Sequence, residues 1–295
     1  MQWFGVLCAT GAALFWSAAV IMFKQSGEVL SPTALNLFKG LVTLLLLVPT
    51  LLLAGIPLFP ERPLNDWLLF SISGVLGISL ADNFFFMALK RLGAGLWAVV
   101  DCLYLPSIIL LSAFFLNESI GLKGVTGAAL VTAAIIAGSH SRFPVVGQRR
   151  DFMAGLLWGA MSVALMAASI VMVKPLLATT SVLWASFVRL LAGVAGLLVM
   201  TLFHPQRGTI VRVLVPSPAW KIALPASIVG NYLAMLAWLA GFKYTLVSVA
   251  AILNQLSTIF TFVLAAMILK EPVTLPRLTA IVLAVAGALL ATASV

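Results

Sequence analysis

Uninterrupted apolar runs of about twenty residues follow one another along almost the whole chain. A run of about 20 apolar residues spans the hydrocarbon core of a bilayer as an α-helix. Only 8% of the 295 residues are charged, whereas a water-soluble domain carries roughly 25%. The runs show no period-two alternation, which favours helices over membrane strands. The sequence therefore predicts an all-α integral membrane protein.

Ten runs of this kind are separated by short loops that contain polar, proline and glycine residues. The first run has no basic segment before it and is long enough to span, so we expect a retained helix rather than a cleaved signal peptide. A basic break lies at the midpoint of the chain, so we predict halves at 1–140 and 152–295, joined by a linker at 141–151. The ten predicted transmembrane helices cover roughly 3–23, 32–54, 66–88, 93–116, 120–139, 152–173, 180–203, 219–242, 246–269 and 273–294.

The second half of the chain repeats the first. Adding 150 to the residue number aligns the first two runs of the halves, and adding 153 aligns the later ones. Five spans per half is an odd number, so the halves must enter the membrane in opposite senses, as in transporters built from two inverted five-helix repeats. The evidence for the repeat itself comes from aligned charged and glycine residues. These are Lys24 with Lys174, Lys39 with Arg189, Gly77 with Gly230, Lys90 with Lys243 and Glu118 with Glu271.

The net charge of +9, from 17 Lys and Arg against 8 Asp and Glu, does not indicate nucleic-acid binding here. The basic residues stand at the ends of the apolar runs, where they act as topology signals. Ten spans place both termini on one side, which would then carry four of the loop Lys and Arg against eleven on the other. Because basic short loops face the cytoplasm, this count predicts both termini outside.

Two acidic residues, Asp82 and Asp101, lie well inside apolar runs. An ionisable side chain at membrane depth is costly, and it faces a cavity or a partner rather than lipid. Asp82 could pair with Lys90 or Arg91 further along the same run. Asp101 lies about nine residues into the fourth run and aligns with Asn254 in the second half. We interpret Asp101 as a residue that binds a proton or a substrate amine.

Polar residues recur at three- or four-residue spacing on the fourth and ninth runs, so they share one helical face on each. Tyr104 could donate to a carboxylate, Trp97 could stack on a substrate, and Asn254 offers an amide group. Interhelical hydrogen bonding is the structural alternative for these residues. The candidate binding residues are Asp82, Trp97, Asp101, Tyr104, Asn231, Asn254, Gln255 and Thr258.

Three further sets of residues stand out in or beside the runs. Lys39 and Arg189 could hold an anionic substrate group, but each lies only some seven to ten residues inside its run, so we expect both to snorkel to the membrane surface. Glu118 and Glu271 stand between consecutive runs, and we expect them to cap helix N-termini. Pro106 should kink the fourth helix and free a backbone carbonyl near the candidate aspartate.

Several short segments give the chain a family likeness. Each half has a glutamate after its fourth run (FLNES, ILKEP), a basic residue in its second (LNLFKG, SFVRLL) and a Gly/Ala-rich fifth run. With the segment ADNFFFMAL, these features resemble the drug/metabolite transporter superfamily, EamA type, over essentially the whole chain. The resemblance implies a secondary transporter of small metabolites, with a cavity lined by helices one, three, four, six, eight and nine. It also implies cytoplasmic termini, but our orientation follows the charge count.

We therefore predict a secondary active transporter, an exporter or exchanger, that moves a small polar metabolite such as an amino acid. It would work by alternating access around a midplane cavity in a bacterial inner membrane, as a monomer or homodimer. Its expected partners are the substrate, the lipid bilayer and protons. A passive facilitator, a non-transporting scaffold and an intramembrane enzyme are the alternatives. An intramembrane aspartyl protease would need a Gly-x-Gly-Asp setting, whereas these aspartates lie in LADN and VVDC.

We expect no catalytic residue, no metal and no cofactor. Cys8 and Cys102 lie in apolar runs, and His140 and His204 lie in loops, so the sequence brings no Cys/His cluster together. Buried thiols without a disulfide are the expected state of both cysteines.

Overall fold

The structure, a computed structural model of the chain, describes residues 2–116, 126–127, 129–130, 133, 149–177, 179–244 and 247–292. Over these residues the chain forms helices and connecting turns, and no strand occurs among them. The prediction of an all-α fold is therefore confirmed. Most of the predicted fifth span, 120–139, lies outside the described residues, as does Glu118. The count of ten spans and the inverted arrangement of the halves stay predictions.

The helices agree with the predicted runs to within a few residues. Within the described ranges they are α1 (Gln2–Ser26), α2 (Pro32–Leu53), α3 (Leu64–Leu92), α4 (Ala94–Asp101 and Tyr104–Leu116), α5 (Arg149–Leu177), α6 (Val182–Leu202), α7 (Trp220–Tyr244), α8 (Val247–Ile268) and α9 (Leu275–Thr292). Six of them, α1, α2, α3, α5, α6 and α7, are long and apolar enough to cross a membrane. A short helix, Arg207–Val211, lies in the loop before α7.

Local sequence explains where several helices begin and end. The hydroxyl oxygen of Ser31 accepts a hydrogen bond from the Ala34 amide at 3.4 Å, and Pro32 occupies the first helical position of α2. Both residue types are favoured there, because they satisfy or remove an unpaired N–H group. Ser181, aligned with Ser31 by the shift of 150, stands before α6. Gly93 separates α3 from α4 with a φ of 78°, a conformation in which a side chain is strained.

The two halves pack against each other reciprocally. Helix α1 packs against α7 and α8, and the aligned helix α5 packs against α3 and α4. Helices α2 and α6 pack against each other. Single residues repeat the pattern: Gly230 lies against Ala19, and Gly77 lies against Ser169, which is the residue aligned with Ala19. Contacts repeated in both directions are what a twofold relation between the halves produces.

Helices α3 and α7 each contain a seven-residue π-helical segment at nearly aligned positions, Val75–Ala81 and Ser227–Leu233. In a π segment the backbone hydrogen bonds join residues five apart instead of four. Such segments occur frequently at functional sites. Asp82 follows the first segment directly, and Asn231 lies within the second. Nothing in the sequence indicated these segments. Each of them contains or adjoins a candidate binding residue.

Helix α4 is interrupted at Cys102–Leu103, directly after Asp101. The amide of Leu103 donates to the carbonyl oxygen of Val100 at 3.0 Å, which tightens the turn. Pro106 has no N–H group with which to reach the carbonyl one helical turn earlier. The predicted disruption of this helix is confirmed, and it leaves Asp101 as the last residue of the first segment.

Large apolar side chains cover much of the outer surface. Leu53, Phe114 and Phe203 are 90%, 80% and 85% exposed. A water-soluble protein rarely exposes broad apolar patches, whereas a membrane protein places such side chains against lipid. Together with the six long apolar helices, this surface defines a multi-pass integral membrane protein.

Candidate functional site

A cavity of about 190 Å³ lies among helices of both halves. Its walls come from α1 to α8. The family resemblance implied six of these helices (α1, α3, α4, α5, α7 and α8, which are the predicted spans one, three, four, six, eight and nine), and α2 and α6 take part as well. Most of the lining is apolar or aromatic, with a small number of polar groups, as is usual for small-molecule sites. Six of the eight candidate binding residues line the cavity: Asp82, Trp97, Asp101, Tyr104, Asn231 and Asn254.

The other two candidates are Thr258 and Gln255. The Thr258 side chain is buried, and its hydroxyl lies 3.5 Å from the sulfur of Cys102 on α4. The side chain of Gln255 lies outside what the structure describes. A binding role for these two residues stays a prediction.

Asp82 forms a buried ion pair with Lys39. The Lys39 ammonium nitrogen lies 2.5 Å from one carboxylate oxygen of Asp82 and donates to the amide oxygen of Asn231 at 3.1 Å. The Asn231 amide nitrogen in turn donates to the Thr43 hydroxyl at 2.8 Å. This network joins α2 and α3 of the first half to α7 of the second, so it is one of the contacts between the two halves.

Two sequence expectations are therefore wrong. Asp82 does not pair with Lys90 or Arg91, because α2 brings Lys39 against it instead. Lys39 and Arg189 do not snorkel to a membrane surface, since they are only 1% and 5% exposed and both line the cavity. The expectation treated each helix as if it stood alone in lipid, whereas neighbouring helices enclose both side chains.

Arg189 is less completely partnered than Lys39. One guanidinium nitrogen, Nη2, donates to the Ser169 hydroxyl at 3.3 Å, and Nε has no hydrogen-bond partner among the described residues. Asp82 and Tyr104 lie within electrostatic range of this guanidinium group. Gly77 leaves room for it, because a β-carbon there would lie 3.3 Å from Nη2 and 2.8 Å from the Ser169 hydroxyl.

Asp101, Tyr104 and Asn254 form the other polar part of the cavity. Among the described residues, the Asp101 carboxylate has no ion-pair partner. The Tyr104 hydroxyl and the Asn254 amide nitrogen are buried without a hydrogen-bond partner there. Buried polar groups in proteins are nearly always paired, so unpaired ones lining a cavity suit a polar ligand.

Aromatic rings form one wall of the cavity. Trp16 of α1 lies 5.4 Å from Phe85 of α3, and Phe85 lies 4.7 Å from Trp97 of α4, as measured between ring centroids. These offset and edge-on contacts hold the rings in place. The wall offers an apolar surface beside the charged groups, so the cavity can receive a solute that has both an apolar and a charged part.

Glu271 caps a helix, but in the other half of the chain. Its carboxylate oxygens accept hydrogen bonds from the amides of Ala94 at 3.0 Å and Gly95 at 3.2 Å, at the start of α4. A carboxylate there satisfies unpaired N–H groups and interacts favourably with the helix dipole. The predicted capping role is confirmed, with α4 rather than α9 as the helix that is capped.

The fold and the site together define a multi-pass membrane protein with a small-molecule cavity between its two halves. The model of the EamA-like transporter family matches the chain twice, over residues 3–138 and 153–293. The chain therefore belongs to the EamA-like transporter family. The resemblance drawn from the glutamate and basic segments of each half is confirmed.

Two further comparisons agree with this. A WAT1-related chloroplastic protein of Arabidopsis thaliana is 26% identical in an alignment over 167 residues that covers 54% of this chain and 38% of the plant protein. The chain thus spans well under half the length of this curated relative. A solved crystal structure shares the fold with a TM-score of 0.72 at 20% identity, over 99% of this chain and 98% of that one.

The cavity positions of the two basic residues, Lys39 and Arg189, were not predicted from the sequence. The signal was present: Lys39 and Arg189 are aligned by the repeat, and both lie inside apolar runs. The π segments had no comparable signal beyond the aligned glycines Gly77 and Gly230.

Proposed function

We propose that this protein is a secondary active transporter that exports or exchanges a small polar metabolite, such as an amino acid, across a bacterial inner membrane. It works by alternating access, with the cavity opening first to one side of the membrane and then to the other. Protons take part through Asp101, and no nucleic acid or cofactor does. Ten helices in two inverted five-helix repeats form the functional unit.

One observation carries the proposal: polar groups from both halves meet in a single cavity. Lys39 and Asp82 come from the first half, and Asn231 and Arg189 come from the second. A substrate held between the halves contacts both of them, so its binding free energy can bias their relative arrangement. A carrier built from repeats places its substrate site at such an interface.

Asp101 is the residue proposed to couple transport to protons. It lines the cavity, ends the first segment of α4, and has no ion-pair partner among the described residues. A carboxyl group in this position can exchange a proton with whichever side of the membrane the cavity faces. The passive facilitator is the competing function, and it would need no such exchange.

Exchange flux in proteoliposomes tests the proposed function. Purified protein is first screened against metabolite pools by thermal shift, because a ligand of the folded state raises its apparent stability. A metabolite that binds is then loaded inside the vesicles, and uptake of its radiolabelled form from outside is measured. The proposal expects uptake faster than in protein-free vesicles. Binding without exchange would contradict transport. Uptake that is driven only by the substrate's own gradient and is unaffected by a proton gradient would favour the facilitator.

A further inference from the structure

We propose that Arg189, together with the hydroxyl group of Tyr104, forms a binding site for a carboxylate group of the transported solute. This inference rests on the proposed transport function and narrows its substrate class to small monocarboxylates and zwitterions.

The two basic residues aligned by the repeat have different surroundings. The Lys39 ammonium group has Asp82 at 2.5 Å and the Asn231 oxygen at 3.1 Å, so it already has an anion and a neutral acceptor. The Arg189 guanidinium group has one neutral hydroxyl acceptor, Ser169, and no carboxylate in direct contact among the described residues. The two aligned cations therefore differ: Lys39 has its counter-ion within the protein, whereas Arg189 has none in direct contact among the described residues.

The charges around Arg189 favour a single anion. Lys39 and Asp82 balance each other, and when Asp101 carries its proton, Arg189 adds one uncompensated positive charge that is 5% exposed. Asp82 lies within electrostatic range of Arg189 and offsets part of its charge, but it is in contact with Lys39. A buried cation without a direct counter-ion is costly. A monoanion brought into the cavity removes that cost. A phosphate group, with a charge of about −1.5 to −2, would carry more negative charge than Arg189 can balance.

Tyr104 adds a second hydrogen-bond donor to the cavity that Arg189 lines. Its hydroxyl is buried without a hydrogen-bond partner among the described residues, and it lies within electrostatic range of Arg189. A guanidinium group presents paired N–H donors that match the two oxygens of a carboxylate. The Tyr104 hydroxyl can donate a further hydrogen bond to the same group.

The rest of the cavity limits the size of the solute. Its volume of about 190 Å³ is below the roughly 300–1,000 Å³ of drug-sized sites. Apolar and aromatic side chains, among them Trp16, Phe85 and Trp97, form the wall beside the charged groups. The site thus suits a short apolar chain that ends in one carboxylate.

Paired probes that differ only in the carboxylate test this site. Binding to the purified full-length protein is measured by thermal shift and calorimetry with 4-methylpentanoate and 4-methylpentanamide, and with leucine and leucinamide. The acid without an amine and the zwitterion distinguish a simple monocarboxylate from an amino acid. The carboxylates are expected to raise the unfolding midpoint of the parent protein, and the amides are not.

Substitutions assign the effect to the two residues. Hydrogen bonds to charged groups are worth about 1.5–3 kcal/mol, so Arg189→Gln should weaken carboxylate binding about 10- to 100-fold. Arg189→Lys should retain part of the affinity. Tyr104→Phe, which removes only the hydroxyl group, should weaken carboxylate binding by up to about tenfold. The matched control is Arg212→Gln, at an exposed arginine outside the cavity, and it should change nothing.

Three results would overturn the assignment: equal binding of acid and amide by the parent, unchanged carboxylate affinity in Arg189→Gln, or no binding by either carboxylate. If Arg189→Gln fails to fold, Arg189→Lys and Tyr104→Phe decide, because unchanged affinity in both would contradict the site. The proposed function fails separately. Exchange of an uncharged or cationic metabolite that is indifferent to these variants would preserve transport and refute only the carboxylate site.

Discussion

Lys39 on α2 and Asp82 on α3 form an ion pair with a nitrogen–oxygen distance of 2.5 Å, and their side chains are only 1% and 7% exposed. Asn231, from the other half of the chain, accepts a further hydrogen bond from the same lysine. A buried pair of this kind gains little net stability over apolar residues, but losing one partner leaves an unpaired charge in the protein interior. The ion pair lies within the first half, and the hydrogen bond from Lys39 to Asn231 connects it to the second half.

Asp82→Asn should destabilise the protein by about 3–5 kcal/mol, because it leaves Lys39 buried without its counter-ion. The measurement is chemical unfolding of purified protein in detergent. The matched control is Asp66→Asn, which removes the longer, more exposed pair with Arg62 at 3.4 Å. That change should cost about 0–1 kcal/mol.

A double substitution distinguishes the effect of an unpaired charge from the effect of changed side-chain packing. Lys39→Met with Asp82→Leu removes both charges and should recover much of the stability that Asp82→Asn loses, since no charge is left unpaired. If Asp82→Asn proves no more harmful than Asp66→Asn, the buried ion pair does not contribute to stability in the way described.

Gly230→Ala should destabilise the protein by about 1–3 kcal/mol through overpacking. A β-carbon at Gly230 would overlap that of Ala19 on α1 and lie 3.0 Å from the Phe23 ring. Ala19→Gly should rescue part of the loss in the double variant, as measured by thermal unfolding. The control is Gly208→Ala, where no atom lies within 4 Å of the added carbon. There the higher helix propensity of alanine should leave stability unchanged or raised, and equal losses at both glycines would refute the close contact.

Glu271→Ala should loosen the start of α4 by removing the acceptors of the Ala94 and Gly95 amides. The loss of an N-terminal cap costs about 1 kcal/mol. Hydrogen exchange followed by mass spectrometry should show faster exchange in the peptide that contains these amides. Glu61→Ala, at an exposed glutamate, serves as the control and should leave that peptide unchanged. Unchanged exchange in Glu271→Ala as well would show that the cap contributes nothing.

Both termini should lie outside the cytoplasm. The prediction follows from the eleven loop Lys and Arg that ten spans place on the face opposite the termini, against four on their own face. A reporter fused to the C-terminus that matures only in the cytoplasm should therefore stay silent. A strong signal would reverse the orientation, and it would leave the cavity and its contacts as described.

Much of the helical fold could be predicted because membrane-spanning helices are recognisable from the length and apolarity of their sequences. The interruption of α4 before Pro106 followed from the missing N–H group of proline. The places of Asp101 and Asn254 in the cavity followed from the cost of polar groups in lipid and from the repeat.

The partner of Asp82 could not be predicted in the same way. The sequence offered Lys90 and Arg91 nearby along the chain, whereas the structure brings Lys39 from 43 residues away, and Lys39 in turn donates to Asn231 of the second half. Packing of α2 against α3 and α7 decides that choice, and single-sequence patterns do not contain it. The depth of Arg189 was misjudged for the same reason, because distance from the end of a run measures depth only for an isolated helix.

Transport by the Asp101→Asn variant tests the central claim most directly. The variant keeps the shape of the side chain and removes its exchangeable proton, while the exposed Asp151→Asn serves as the matched control. Both variants are reconstituted in proteoliposomes, and flux of an identified substrate is measured with and without a proton gradient. The account predicts that the control responds to the gradient like the parent, whereas Asp101→Asn is folded but shows no gradient-driven transport. Gradient-driven flux in Asp101→Asn equal to that of the parent would contradict it.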